Sequence, residues 1–235
     1  MEDQLIDQVA WSSREYLRGP IRGIILRFAG LGATAMKDAA EPAELEWSDQ
    51  GGLVVFPYHE PWAWMNASTR RFVDELLEAI FRRHHLDAAT PVIATGGSMG
   101  GQQALVFCRY SRHHVVACCA NCPVCDLPFH YTERPDLPRT MHHAFGSYGE
   151  IGPALREHSP LHLVETMPRI DYLIIHGVKD PAVAKIRHSD PFVAAMRAQG
   201  HRVEYRVLPN MNHCGPVDYA TMRRMVDFGL EHLLR

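Results

Sequence analysis

Residues 91–110 place a β-branched apolar run (91–95), a glycine turn (Gly96-Gly97-Ser98-Met99-Gly100-Gly101) and a helix-forming stretch (102–110) in direct succession, with no linker between them. A strand that passes straight into a helix through so short a turn leaves its sheet at one edge and must return across the face. Parallel strands require that connection. The alternation continues along the chain. Residues 21–28 and 53–57 read as strands. Residues 66–85 read as a helix, because Phe72, Val73, Leu76, Leu77, Ile80 and Phe81 recur at three- and four-residue intervals, and the polar cluster at 66–69 offers a cap. Further strands are expected at 115–120, 170–176 and 203–208, with helices at 191–199 and 217–234. This pattern predicts an α/β fold in one domain over residues 1–235, with a mostly parallel central sheet and helices on both faces. Residues 127–168, rich in proline, histidine and aromatic side chains, break the alternation. They are expected to form either a lid-like insertion over a site or an irregular surface excursion.

Composition narrows the class of partner. A formal net charge of -3 provides no basic field for nucleic acid or for an acidic membrane surface, so a small-molecule substrate is expected. No stretch reaches membrane-spanning length, and the first residues lack the basic start and apolar core of a signal peptide, so the expected location is cytoplasmic. Oligomeric state is left open. Four of the six cysteines fall between positions 118 and 125 rather than being dispersed as in a secreted disulfide scaffold, so reduced thiols are expected. Cys119-x-x-Cys122-x-x-Cys125 imitates iron–sulfur or zinc spacing, but no further cysteine follows until Cys214, and the run begins on an expected strand. It is read as buried thiols filling the sheet core; no metal and no cofactor is expected. Cys214, beside His213, is expected to make the site sensitive to thiol reagents.

Gly96-x-Ser98-x-Gly100 sits where a nucleophile elbow needs it, between a strand and a helix. A serine in that strained turn requires small neighbours, and its hydroxyl then stands clear of the sheet. The alternative, a turn that holds a phosphate at the helix N-terminus, lacks the lysine that a P-loop places after its glycines. A serine hydroxyl needs an imidazole to take its proton. Of fifteen histidines, His213 lies in a turn-rich loop after the last expected strand and before the closing helix, where the base of a Ser, acid, His order falls. Asp180, in the loop that leaves strand 170–176, is the expected acid that orients the base. Asp126, at the neighbouring strand end, is the main rival, and Asp190 is weaker because it is expected to cap a helix. The oxyanion donors are expected to be the amide of Met99 and that of Leu31 or Gly30, in the glycine loop after the first core strand. Tyr58, Trp62 and Trp64, with Phe129 and Tyr131 in the insertion, either line a substrate pocket or staple their loops to the domain; Phe145 and Tyr148 face the same two readings.

With Gly96-Gly-Ser-Met-Gly-Gly, His176-Gly-x-x-Asp180 followed by Val183, Ser159-Pro160 and His213 in place, the chain resembles the α/β-hydrolase superfamily over nearly its whole length. More narrowly, it resembles the esterase and prolyl-oligopeptidase-like branch. The resemblance implies a serine hydrolase with Ser98 as nucleophile, Asp180 as acid and His213 as base. The chain departs from that pattern at Ala29-Gly30-Leu31, where the family often has His-Gly-Gly, so the second oxyanion donor is open. Large relatives carry a β-propeller, for which 235 residues leave no room, so size gating is expected to fall to 127–168 or to oligomer contacts. The expected reaction is hydrolysis of carboxylic esters of small substrates through an acyl-serine, with cleavage of short peptides as the alternative.

Overall fold

The computed structural model describes residues 1–234, so the last residue of the expected 1–235 domain lies outside the described residues. Among the described residues seven strands form one sheet: β1 (Ala10–Ser12), β2 (Gly23–Phe28), β3 (Gly52–Pro57), β4 (Val92–Gly97), β5 (Val115–Asn121), β6 (Asp171–Gly177) and β7 (Arg202–Leu208). Their order is β1-β3-β2-β4-β5-β6-β7. β1 alone is antiparallel, pairing Ala10 to Ser12 with Pro57 to Val55; every other neighbour pair is parallel.

The helices are α1 (Ile6–Val9), α2 (Pro42–Asp49), α3 (Ala67–Arg83), α4 (Met99–Tyr110), α5 (Leu127–Glu133), α6 (Leu137–Phe145), α7 (Ile151–Glu157), α8 (Ser189–Ala198) and α9 (Tyr219–Leu233). Successive side chains on a strand point to opposite faces, which divides the core in two. Ile24, Leu26, Val92, Ala94, Cys118 and Ile174 meet α3, α4 and α8 through residues such as Leu76, Leu105 and Phe192. Ile25, Val54, Ile93, Cys119 and Leu173 point the other way and meet Trp47 of α2 and Val226 and Leu233 of α9. Helices therefore cover both faces, as the alternating pattern predicts. Asn66 caps α3 by accepting the Thr69 amide at 2.9 Å.

Residues 127–168 are largely helical. Leu137, Met141, Ala144 and Phe145 of α6 recur at helical spacing and pack with Trp64 and Met99 in a third buried cluster. The insertion is thus stapled to the start of the elbow helix through an apolar seam. Among the described residues no helix is long and apolar enough to cross a membrane.

Candidate active site

The loops that leave β2, β4, β6 and β7 at their C-terminal ends converge on a cavity of about 850 Å³. Ser98 stands in the turn between β4 and α4 with φ 60° and ψ -124°. That left-handed backbone is unfavourable for a residue with a Cβ and costs on the order of 1–3 kcal/mol. The turn closes only because its flanks are glycine. A Cβ on Gly96 would lie 2.4 Å from the Gly100 carbonyl oxygen, and one on Gly100 would lie 2.3 Å from that of Phe28. The Ser98 amide donates to the Asn121 carbonyl of β5 at 2.9 Å, which fixes the turn to the sheet.

The β6 and β7 exit loops are drawn together at Gly177, where a Cβ would lie 2.0 Å from the Met211 carbonyl oxygen. The Lys179 amide donates to that same oxygen at 3.2 Å. This close approach brings Asp180 and His213 face to face. His213 Nε2 lies 2.8 Å from Ser98 Oγ, and His213 Nδ1 lies 2.7 Å from Asp180 Oδ2. Asp180 Oδ1 accepts the amides of Ala182 and Val183, both at 2.9 Å. Behind it, the buried His176 brings Nε2 to 3.3 Å from Asp180 Oδ2 and Nδ1 to 2.5 Å from Ser189 Oγ.

These contacts set the charges. Burial disfavours the Asp180 carboxylate, yet the bonds from His176, His213 and the two amides outweigh it and hold the acid far below the usual carboxylate range. An acid that stays ionised accepts only, so His213 carries its Nδ1 proton and turns its Nε2 lone pair to the Ser98 hydroxyl. Burial pushes the His213 imidazolium down, but the hydrogen bond to Asp180 and the neighbouring Cys122 raise its pKa to about 9.

The two rival acids are engaged elsewhere. Asp126 caps α5, its Oδ1 accepting the Phe129 amide at 3.1 Å. Asp190 is not the expected cap, because His188 occupies that position. It is the second residue of α8, held by Lys185 Nζ at 2.7 Å and by the Tyr205 hydroxyl at 2.7 Å.

Met99 heads α4, where an amide has no partner within the helix. Gly30 and Leu31 both line the cavity in the loop after β2, whereas the Gly32 amide is already taken by the Pro61 carbonyl at 2.9 Å.

Of the five aromatics expected to meet substrate or staple loops, Trp64 alone is part of the cavity wall, with its indole N–H on Thr140 Oγ1 at 3.1 Å. The other four are not among the residues that line it, and each makes the loop contact that the stapling alternative expects. Tyr58 bonds its hydroxyl to the Thr34 carbonyl. Trp62 lies between Arg139 and His143. Phe129 lies under Arg187, and Tyr131 meets His142 at 2.9 Å. In the insertion, Phe145 is fully buried and the Tyr148 hydroxyl accepts the Ala67 amide at 2.6 Å.

Sequence reasoning missed a charged end of the cavity. Arg27 on β2 pairs with Glu41 at 2.9 Å and with the fully buried Glu44, while Lys37 reaches Glu44 at 3.1 Å. Arg27, Lys37 and Glu41 all line the cavity, as do His130 and Arg134 from the insertion. No recognisable motif links these residues, and the 27–44 stretch lies far in the chain from His130 and Arg134. Cys118, Cys119, Cys122 and Cys125 are buried free thiols, and Cys214 is exposed on the cavity beside His213.

A mostly parallel sheet with helices on both faces, and a strand–serine–helix elbow at its C-terminal edge, defines the α/β-hydrolase fold. Within it, residues 74–234 match the model of the prolyl oligopeptidase family, more than half of the chain, and the chain belongs to that family. The fold is shared with an acylaminoacyl peptidase of Pyrococcus horikoshii (TM-score 0.74, 14% identity, covering 93% of this chain and 37% of that one). A puromycin-hydrolyzing peptidase of Mycobacterium tuberculosis gives a TM-score of 0.70 at 18% identity, covering 92% of this chain and 34% of that one. An S-formylglutathione hydrolase of Agrobacterium tumefaciens gives 0.68 at 19% identity, covering 96% and 88%. The chain thus spans little more than a third of the two peptidases. No curated protein matches it.

Proposed function

We propose that the chain is a serine hydrolase that cleaves carboxylic esters of small substrates through an acyl-enzyme on Ser98. The observation that carries this reading is the continuous hydrogen-bonded line from Ser98 Oγ through His213 to Asp180, opening on the cavity. Ser98 Oγ attacks the ester carbonyl as its proton passes to His213 Nε2. The tetrahedral oxyanion is met by the Met99 amide and by that of Leu31 or Gly30. Collapse breaks the C–O bond, and the His213 imidazolium gives its proton to the leaving alkoxide. A water, deprotonated by His213, then cleaves the acyl-serine and restores both groups. Asp180 keeps the imidazole in the required tautomer throughout.

Short-peptide cleavage is the second reading, favoured by membership of the prolyl oligopeptidase family. Esters and aminoacyl anilides assayed side by side separate the two. Ester turnover well above anilide turnover supports the esterase reading, and comparable anilide turnover replaces it with the peptidase one. A reducing, cytoplasmic setting belongs to the same proposal and is supported by six free cysteines.

A further inference from the structure

A neutral imidazole has one donor and one acceptor nitrogen, and its partners decide which is which. His130, on α5, is only 2% exposed, and its Nδ1 lies 2.6 Å from Glu133 Oε2. The same carboxylate receives His188 Nε2 at 3.0 Å and, at Oε1, the Ala184 amide at 2.9 Å. Burial works against the Glu133 charge, but the bonds from His130, His188 and Ala184 outweigh it and hold the acid well below its usual range. An ionised carboxylate can only accept, so the His130 proton sits on Nδ1. Burial pushes the His130 pKa down in spite of Glu133, and the ring is neutral. Its Nε2 therefore carries a free lone pair.

Among the described residues nothing donates to that lone pair, and His130 is part of the cavity wall together with Ser98 and Trp64. The Trp64 ring lies edge-on to His130 at 5.6 Å, with its own N–H committed to Thr140. The wall thus presents an unpartnered acceptor at His130, in a lining that mixes the apolar Val183 and Leu31 with Arg134. His130, Glu133 and His188 also lie close enough to suggest a metal site. His188 argues against it: its Nδ1 accepts the amides of Cys125 and Asp126 at 3.2 and 3.1 Å, so its Nε2 keeps the proton and has no lone pair for a metal.

Resting on the serine-hydrolase reading of Ser98, we propose that His130 is a specificity-determining residue whose Nε2 accepts a hydrogen bond from an O–H or N–H on the acyl part of the substrate. The acyl part is the one that stays on Ser98. Met99, next to Ser98, shares a buried cluster with Trp64 and Val183, whereas Val217, Met222 and Met225 follow His213, which protonates the departing group. The cavity therefore favours acyl groups that bear a hydroxyl or an amide N–H over plain alkyl acyls. A buried acceptor left unpaired by an alkyl acyl weakens its binding, and one such hydrogen bond is worth about tenfold in kcat/KM.

The test is hydrolysis of methyl butyrate against its 2-hydroxy, 3-hydroxy and 2-acetamido derivatives, followed by pH-stat so that the leaving group is constant. The wild-type enzyme is expected to prefer at least one donor-bearing ester by about tenfold or more. His130→Phe is expected to erase that ratio, and His130→Gln, which offers an amide oxygen, to keep part of it. A wild-type enzyme with no preference for any of the three overturns the proposal, whether or not the variants fold, as does a ratio unchanged in His130→Phe. Fluorophosphonate labelling of the wild type distinguishes the two levels: labelled Ser98 without a preference removes the subsite alone, whereas unlabelled Ser98 removes the hydrolase reading.

Discussion

Replacing Asp180 with asparagine changes one oxygen to an amino group and little else in volume. Asp180 Oδ1 accepts two backbone amides, while Oδ2 faces the ring nitrogens of His213 and His176. The asparagine oxygen is held by the two amides, which have no other use for it, so the new NH2 group faces both rings. Two donors cannot share one hydrogen bond. His213 must turn its proton to Nε2, and the Ser98 hydroxyl then faces a donor instead of a base. A triad locked in the wrong tautomer loses about 10⁴ in kcat, or about 5–6 kcal/mol of barrier. The assay is release of p-nitrophenol from p-nitrophenyl acetate by purified Asp180→Asn, with thermal melting to establish that the variant folds. Asp126→Asn is the control. Asparagine caps a helix about as well as aspartate does, so its activity is expected to stay within about twofold of wild type. Folded Asp180→Asn that keeps more than about a tenth of wild-type activity, with Asp126→Asn crippled, refutes the assignment of the acid.

The base must be unprotonated to act, so kcat/KM for an ester is expected to climb with pH as His213 loses its proton. Against the pull of burial, the bond to Asp180 raises the His213 pKa from 6.5 to about 9, so the rise is expected across this window; a profile that falls over that window contradicts the assignment. Gly177→Ala forces a Cβ to within 2.0 Å of the Met211 carbonyl oxygen, and separating the β6 and β7 loops is expected to lower kcat at least a hundredfold or to abolish soluble expression; near-normal activity would show that the approach is dispensable. The Cys214 thiol is pulled below its ordinary range by its hydrogen bond with Cys122 and lines the cavity. N-ethylmaleimide is therefore expected to block ester turnover in the wild type, and Cys214→Ser is expected to be resistant, read as residual activity after equal exposure.

The parts of the fold that the sequence announces are those fixed locally. β4, the elbow and α4 are contiguous, and their glycines are required by backbone contacts within the same turn and with the adjacent strand, so a short motif carries them. β1 is three residues long and exists because Phe56 and its neighbours on β3 offer an open edge, a distant pairing with no periodic signature. α2 buries only Glu44, Trp47 and Ser48, so it lacks an apolar stripe. α6 does have one in Leu137, Met141, Ala144 and Phe145, but its surrounding prolines and histidines mask it.

The site divides along the same line. Ser98 is legible from its turn and His213 from its place after β7. Asp180 and Asp126 both follow strand ends; the sequence favours Asp180 through its motif, and the Gly177 approach, a tertiary contact, is what brings it to His213 while Asp126 caps α5. The aromatic loops stayed undecided in the sequence because a tryptophan or tyrosine reads alike whether it faces a ligand or an arginine. Arg27, Lys37, Glu41 and His130 come together from β2, the loop before α2 and α5, and nothing short of the fold reveals that they share one cavity.

The central claim is that Ser98 is a nucleophile activated by His213. Reaction with a fluorophosphonate, followed by peptide mapping, tests it most directly, because the reagent bonds to an activated serine and leaves idle hydroxyls untouched. The account predicts a single adduct on Ser98, lost in Ser98→Ala and strongly slowed in His213→Ala. Intact protein that stays unlabelled, or label that persists in Ser98→Ala, would contradict it.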